Sequence, residues 1–203
     1  NGFISIDMNI EDLEIYLPKY LSDEKQRELY SDLKDFPNNI DKIFGSKYLA
    51  TEELLQSDIV ENIPYFNLPS TESKLTKVII ISNSCDIDPQ NKRDLPPKVS
   101  YAPLLSLSKF IDLLKSKEID ETRIEQIVNS IKKQEKTNIF FVPQSANLNE
   151  DYIVFFENML SIDRDYFFEN HKKNATFSNY GFYMFLLKLS LHFTRIQEKV
   201  DRG

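Results

Sequence analysis

The sequence has few of the residues that most nucleotide, metal and disulfide sites require. Its 203 residues include four glycines, one cysteine, two histidines and no tryptophan. Dinucleotide and P-loop sites need clustered glycines, which let the backbone approach a phosphate, and the glycines here lie far apart. One cysteine cannot form an internal disulfide, and with two histidines it cannot supply an ordinary Cys/His zinc site. The sequence therefore excludes Rossmann and P-loop sites, and it predicts neither a cofactor nor a metal.

An excess of positive charge is also absent, since the formal net charge is −7. Proteins that coat duplex DNA usually carry a basic excess, so any contact with nucleic acid must come from a local basic patch. The first residues lack the basic start and apolar core of a signal peptide. The longest apolar stretch, 182–193, is interrupted by Lys188 and His192 and is too short to span a bilayer. These features predict a cytoplasmic protein without membrane contact.

Bulky apolar residues are plentiful. Apolar residues make up 41% of the chain and include fifteen Phe and ten Tyr. Aromatic side chains of this number supply a large buried core, and a disordered chain would be far less hydrophobic. The length suits a single folded domain over 1–203.

Three regions have the periodicity and end signals of helices. They are an extension at 1–50, an insertion at 106–136 and a terminal helix at 178–202. In the extension, Ser22 is placed to cap a helix that runs to about Lys34. In the insertion, Asp120 is placed to cap the second of two helices, at 108–117 and 120–135. Helices confined to these regions, with strands elsewhere, predict an α+β protein.

Runs rich in β-branched and aromatic residues predict five strands. They cover residues 57–63, 75–82, 99–105, 138–143 and 152–160. The last two are separated by the turn 147–151, so they are expected to pair as a hairpin.

Two stripes run along the terminal helix. The apolar stripe contains Phe182, Phe185, Leu186, Leu189, Phe193, Ile196 and Val200. Its helical spacing predicts packing across the sheet. The second stripe contains Lys188, His192, Arg195, Lys199 and Arg202. That stripe is either a solvated face, partly neutralised by Glu198 and Asp201, or a surface on which Arg195 and Lys199 contact a ligand.

The order of these segments carries a family resemblance. Seven stretches bear it, at 57–60, 78–83, 101–104, 139–143, 147–151, 153–158 and 160–167. The first three, Ser57-Asp58-Ile59-Val60, Val78-Ile79-Ile80-Ile81-Ser82-Asn83 and Tyr101-Ala102-Pro103-Leu104, are similar to the Gly-Asp-Ile/Val, Arg-Pro…Ser-Asn and Ala-Pro-Ile-Thr segments of MazF/PemK toxins. The next three are similar to a strand, a loop with an acidic residue and a second strand, and the last resembles the family's Ile-x-x-Ile-Asp-x-x-Arg-Leu segment. The resemblance implies an SH3-like β-barrel over 57–168 with a helical insertion, and a possible homodimer. Residues 82–87 also resemble a Ser-Asn-x-Cys-Asp-Ile motif of uncharacterised bacterial proteins.

The family's catalytic pair is missing. MazF/PemK toxins cleave single-stranded RNA without metal, using an Arg before the second strand and a Thr after the third. Thr76-Lys77 stands at the Arg position and Leu105, or Ser106 one residue later, at the Thr position. Lys77 is one residue out of register, which turns its side chain to the other face, and lysine lacks the arginine fork. The resemblance therefore implies the barrel fold without the ribonuclease activity.

The loop after the second strand is the other candidate site. Ser82, Asn83 and Ser84 could bind a phosphate or a base there. Cys85 could act as a nucleophile with His192 as its base and Asp86 as the orienting group. The interpretation that the residue types favour is structural, with Cys85 a small buried hydrophobe and Asp86 a turn cap.

Three functions remain open. The first is a barrel that has lost catalysis and binds RNA or a protein partner in a bacterial or phage conflict system of the toxin–antitoxin kind. The second is an active endoribonuclease or cysteine-dependent hydrolase with a site at 82–86. The third is an interaction subunit of a larger complex.

Overall fold

The computed structural model of the protein describes residues 22–194, whose strands form an eight-stranded antiparallel sheet. The strands are β1 Phe44–Gly45, β2 Ile59–Phe66, β3 Ser73–Ile80, β4 Lys98–Ser106, β5 Ile139–Val142, β6 Tyr152–Phe155, β7 Leu160–Asp163 and β8 Lys172–Phe177. Their order is β1-β8-β2-β3-β4-β6-β5, and β7 pairs with β4 beside β6. Four of the five predicted strands are therefore confirmed as β2 to β5, whereas the fifth, predicted at 152–160, forms β6 and is then broken by a 3-10 turn at Phe156–Asn158. The predicted hairpin of β5 and β6 is confirmed.

The helices of the described residues surround this sheet. They are α1 Asp23–Lys34, α2 Ser84–Ile87, α3 Leu107–Ser116, α4 Glu121–Lys132, α5 Arg164–Asn170 and α6 Asn179–Thr194, with 3-10 turns at Ile40–Ile43 and Phe156–Asn158. Ser22 accepts from the Lys25 N–H and Asp120 from the Arg123 N–H, so both predicted caps are confirmed. The mixture of helices with an antiparallel sheet confirms the α+β class.

The sheet is not closed into a barrel. Its order ends at β1 on one side and at β5 on the other, and these two strands do not pair with each other. One contact between the two sides of the sheet is made by a side chain, since Asn147 Nδ2, in the loop before β6, donates to the Asn174 carbonyl of β8 at 3.0 Å. Strand pairing thus gives an open sheet, whereas the resemblance implied a closed one.

The sequence prediction missed β1 and β8, and it missed β7 apart from Leu160. β1 lies inside the predicted helical extension and pairs with the end of β8 through Phe44 and Phe177. β8 pairs with β2 and follows directly on α5. Both are explained by local sequence: β1 has two residues, and β8 opens with the polar run Lys172-Lys173-Asn174, which hides its alternation.

Apolar side chains from the two faces of the sheet form two separate clusters. Ile59, Ile79 and Ala102 point to the face that α6 covers, where they pack with Phe140 and Phe185. Their chain neighbours Val60, Val78 and Tyr101 point to the opposite face, where Phe167 of α5 covers them. This alternation is the period of two that a strand imposes. A third cluster joins α3 and α4 to β5 and β6.

Gln134 covers the edge of the sheet at β5. Its side-chain amide donates to the Phe141 carbonyl at 2.8 Å, and the Phe141 N–H donates to its Oε1 at 3.1 Å. The side chain thus makes both bonds that a neighbouring strand would make at this position. Edges that lack partners are a route to unwanted pairing, so Gln134 protects β5.

The prediction that Lys188 lies on a polar stripe of the terminal helix is wrong. Its side chain is buried, with 3% exposure, and its ammonium donates to the Gln134 carbonyl at 2.7 Å and to the Lys136 carbonyl. Phe193, predicted to pack inward, is 63% exposed. Lys188 is buried because α6 also packs on α1 and on the turn at Ile40–Ile43, so the buried surface of α6 is wider than one stripe.

Position 181 requires glycine, because α6 packs closely against the turn at Ile40–Ile43 there. A Cβ at this position would lie 2.1 Å from the Ile43 carbonyl oxygen, which is backbone and cannot rotate away. We expect Gly181→Ala to lower the free energy of unfolding by about 1–3 kcal/mol, because overpacking outweighs the gain in helix propensity. Urea unfolding measures this. Gly45→Ala is the control, with its nearest contact at 3.2 Å and a smaller expected loss. Equal stability of Gly181→Ala and wild type would contradict the contact.

Candidate functional site

Three charged side chains meet where β8, β2 and β3 lie side by side. Glu61 and Lys172 are directly paired residues of β2 and β8, and Lys172 Nζ lies 2.9 Å from Glu61 Oε1. Lys77 Nζ of β3 lies 3.6 Å from the other carboxylate oxygen. The hydrogen bond from Lys172 lowers the pKa of Glu61, although its partial burial acts the other way. Two ammonium groups therefore share one ionised carboxylate.

Lys77 is the lysine next to the position where the resemblance places the family's arginine, one residue out of register. Its side chain is 28% exposed and its charged partner is Glu61. A phosphate-binding lysine would need to exchange this partner for the phosphate. Because Lys172 also neutralises Glu61, Lys77 is the more weakly held of the two ammonium groups.

The threonine position holds residues with packing and capping contacts. Leu105 is half-buried and packs with the cluster under α3. Ser106 is 5% exposed, and its Oγ hydrogen-bonds to Glu150 Oε2 at 2.5 Å and to Ser108 Oγ at 2.7 Å. Ser106 also caps α3, accepting from the Lys109 N–H. Neither residue presents a free hydroxyl to a substrate.

Each polar side chain of the loop after β3 bonds to the backbone. Ser82 Oγ accepts from the Ser100 N–H at 2.8 Å, and Ser84 Oγ accepts from the Gln56 N–H at 2.9 Å. Asn83 Oδ1 accepts from the Cys85 N–H at 2.9 Å and caps α2. Ser82 and Ser84 therefore hold this loop against β4 and the residues before β2, and Asn83 caps the helical turn that follows it.

Cys85 is exposed, which corrects the interpretation that it is a buried hydrophobe. α2 is a single turn on the surface, and its inward residue is Ile87. Asp86 pairs with Arg93 in the following loop. The thiol is accessible, and the orienting carboxylate is occupied by an arginine.

His192 packs on the other side of the sheet. Its ring lies 5.4 Å from the Phe156 ring, which belongs to the cluster under α6, whereas Ile87 belongs to the cluster on the opposite face. No contact among the described residues brings Cys85, Asp86 and His192 together. The ligand-binding candidates Arg195 and Lys199 lie outside the described residues.

A buried ion pair that the sequence did not reveal lies at the start of β2. Lys173 Nζ lies 3.0 Å from Asp58 Oδ2, with side-chain exposures of 8% and 1%. Lys173 also donates to the Tyr48 carbonyl at 2.8 Å and the Glu53 carbonyl at 2.6 Å. Burial raises the pKa of Asp58, opposed by hydrogen bonds from Thr176 and the Leu55 N–H and by the Lys173 charge. Asp58 Oδ1 makes no hydrogen bond of good geometry in the described residues.

The pair fixes the segment before β2 to β8. Lys173 uses three acceptors, two of them carbonyls of the 46–58 segment, so its ammonium is fully engaged. Such a lysine cannot serve as a nucleophile or bind a ligand without losing these bonds. The pair is therefore a structural element of the sheet.

Ser57, next to Asp58, has the backbone conformation that favours glycine. Its φ is 73°, it is 1% exposed and its N–H donates to the Ile80 carbonyl. A left-handed conformation costs a residue with a Cβ about 1 kcal/mol more than glycine. We therefore expect Ser57→Gly to raise the free energy of unfolding by up to ~1 kcal/mol, as measured in urea. Ser57→Ala, the control, keeps the Cβ and should not stabilise. A destabilised Ser57→Gly would contradict the strain.

Metal and membrane features are absent from the described part of the chain. Between residues 22 and 194, no three His, Cys, Asp or Glu side chains are grouped closely enough to hold a metal ion. In the same range, no helix has the length and apolar character needed to cross a membrane.

Comparison of the chain with models of known protein families gives no match, and comparison with curated proteins gives none either. The resemblance to MazF/PemK toxins is therefore neither supported nor contradicted by relatives, and it stays a prediction. Evidence on function comes from the contacts of the residues themselves.

Proposed function

We propose that the protein is a non-catalytic relative of the SH3-like MazF/PemK barrels that acts by binding a protein partner in a bacterial or phage conflict system. This proposal depends on the contacts of the two residues that stand nearest to the family's catalytic arginine and threonine positions. Lys77 is ion-paired with Glu61, and Ser106 is buried against Glu150. A nuclease that cleaves through the ribose 2′-hydroxyl needs a group that moves a proton and a charge that stabilises the phosphate. Neither position offers one.

Two features support the family relationship. The strands that carry the resemblance are consecutive neighbours, with β2 beside β3 and β3 beside β4. Ser57 stands where the family has glycine, and its φ of 73° is the conformation in which glycine is favoured. The similarity of residues 57–60 to the family motif and the left-handed backbone of Ser57 are two separate observations that support the relationship.

A protein partner is favoured over RNA by charge and by exposed apolar residues. The net charge of −7 repels a polyanion. Phe66, Leu68 and Leu75, on the β2–β3 hairpin, are 38%, 69% and 65% exposed. Apolar side chains exposed together are a feature of protein interaction surfaces. RNA binding is the competing outcome of the tests below.

The test of lost catalysis is incubation of the purified protein with single-stranded RNA in EDTA. We expect no cleavage above a buffer control. If RNA is cut, and the cutting is lost in Lys77→Ala or Ser106→Ala, the protein is a nuclease and the proposal is overturned. Lys74→Ala is the matched control, because Lys74 is an exposed lysine of the same strand. Cleavage that survives all three changes would come either from a contaminating nuclease or from a relocated site at 82–86.

The alternative of a relocated enzyme at 82–86 rests on the exposed thiol of Cys85. Titration with a thiol reagent across pH tests it, because a catalytic cysteine reacts as a thiolate well below the usual pKa of free cysteine, about 8.5. A reactivity profile that follows that of a free thiol, unchanged in His192→Ala, would reject the cysteine mechanism. A profile displaced to low pH that depends on His192 would support it.

A further inference from the structure

The β2–β3 hairpin extends beyond the strands on either side of it. β8 pairs with β2 only at Ile59–Glu61. β4 pairs with β3 at Val78–Ile80. The pairing of β2 with β3, in contrast, continues outward to Phe66 and Ser73. Among residues 22–194, the outer half of the hairpin therefore has no strand beside either edge.

The backbone groups of Leu75 point to the open edge of β3. Leu75 is opposite Pro64, which has no N–H, so this pair cannot exchange both bonds and is of the non-hydrogen-bonded type. In an antiparallel ladder such a residue directs its N–H and carbonyl away from the partner strand. Ser73, two residues along, has the same orientation. The intervening Lys74 is bonded to Tyr65 of β2.

The edge is flanked by exposed side chains of two kinds. Leu75 is 65% exposed and Phe66 is 38% exposed, both on the hairpin face that continues from Ile79. Lys74 is exposed and points to the opposite face. It has no carboxylate within ion-pair distance in the described residues. A strand laid along this edge would therefore meet an apolar side chain and an unpaired positive charge in alternation.

A second copy of the chain is a poor occupant of this edge in the register that engages both Ser73 and Leu75. The symmetric antiparallel register that pairs Ser73 with Leu75 of another copy places the two Lys74 side chains directly opposite each other. Like charges in directly opposed cross-strand positions destabilise a sheet. A strand with an acidic residue at that position gains from the same geometry.

We propose that the open edge of β3 at Ser73 and Leu75 binds an extended segment of a protein partner, with an acidic residue opposite Lys74 and apolar residues on both sides of it. The backbone of the segment forms hydrogen bonds with Leu75 and Ser73, and the side chains of the segment determine which partner binds. This proposal rests on the proposed function and names its binding surface. Glu61 does not compete for Lys74, because Lys172 and Lys77 already neutralise it.

The first measurement is amide hydrogen exchange by NMR on the isolated full chain. We expect the Leu75 amide to exchange quickly and the Lys74 and Thr76 amides slowly, because these two bond to β2. The neighbours are thus built-in controls. A Leu75 amide as protected as that of Lys74 would overturn the proposal, since the edge would then already be filled by other residues of the chain or by a second copy.

The second measurement is a titration with two synthetic peptides, acetyl-Thr-Val-Glu-Val-Thr-amide and its counterpart with Lys in place of Glu. We expect the Glu peptide to bind about two- to five-fold more tightly, the size of one cross-strand charge pair, and to shift the Leu75 resonance. Lys74→Glu should reverse this preference without affecting the fold. Leu75→Pro should abolish binding of both peptides, because it removes the outward N–H and leaves the bonds of Lys74 and Thr76 to β2 intact.

The outcomes distinguish a failure of the proposed binding surface from a failure of the proposed binding function. Equal binding of the two peptides, or no reversal in Lys74→Glu, overturns the proposed edge. If a purified native partner binds wild type, Leu75→Pro and Lys74→Glu equally, the binding function stands and the edge is wrong. If single-stranded RNA shifts the Leu75 resonance and neither peptide does, both the edge proposal and the protein partner fail.

Discussion

Replacing Asp58 by alanine is expected to lower the free energy of unfolding by about 3–5 kcal/mol, the usual cost of leaving a buried charge without its partner. The change leaves the Lys173 ammonium, 8% exposed, facing an empty position, and it removes the acceptor of the Leu55 N–H. A loss of this size is a large part of the stability of an ordinary domain. Urea unfolding followed by circular dichroism measures it, and aggregation during expression is the secondary sign.

Three further variants identify the cause of that loss. Asp58→Asn keeps the shape and removes the charge, so its loss reports the ion pair itself. Lys173→Met combined with Asp58→Ala should be less destabilising than the sum of the single changes, because no lone charge remains. Asp86→Ala is the matched control, since the Asp86–Arg93 pair is exposed and should contribute no more than about 1 kcal/mol. An Asp58→Ala variant within that same range would show that the pair does not hold the 46–58 segment.

Elements with local signals could be predicted from the sequence. The caps Ser22 and Asp120 act on N–H groups three residues away, so the sequence around them contains the whole interaction. β3 was predictable because Val78, Ile79 and Ile80 are β-branched and buried on both faces. β8 was not, since its residues become recognisable as a strand only when β2 is beside them.

The candidate site shows the opposite case, in which distant partners decide the role of each residue. Ser84 and Ser82 look like free polar side chains in the sequence, and each binds an N–H from another part of the chain, at Gln56 and Ser100. Asp58 and Lys173 are far apart in the chain and carry no shared motif. Periodicity places a residue on a face of its own element, and it gives no information on which distant group that face will meet.

Lys188 shows how a charged residue can be buried against the pattern. Its position on α6 belongs to a polar stripe by spacing, yet its long side chain reaches the carbonyls of Gln134 and Lys136. Gln134 has a φ of 54° and its side chain covers the β5 edge, so the turn after α4 is held on two sides. The lysine thus connects α6 to the edge protection of the sheet.

Lys188→Met is expected to change the pH dependence of stability above pH 8. Burial lowers the pKa of Lys188 from its ordinary 10.5 to about 8. Between these values the unfolded chain keeps a proton that the folded chain has released, so the unfolded state binds more protons and stability rises with pH. Relative to Lys188→Met, wild type should therefore gain on the order of 3 kcal/mol from pH 8 to 10.5, with no change below pH 7.

Comparison of the two proteins at each pH isolates this effect, because every other titrating group is common to both. Tyr101 is one such group: burial raises its pKa to about 12, so both proteins lose stability as the pH rises above about 10, where tyrosine ordinarily ionises. Urea unfolding at half-unit steps from pH 7 to 10.5 gives the difference curve. Lys136→Met, at a half-buried lysine in the same turn, is the control for removing a lysine side chain from this region. A flat curve for Lys188→Met would mean that Lys188 stays charged and well solvated in the folded protein, contrary to its enclosure between α6 and the turn after α4.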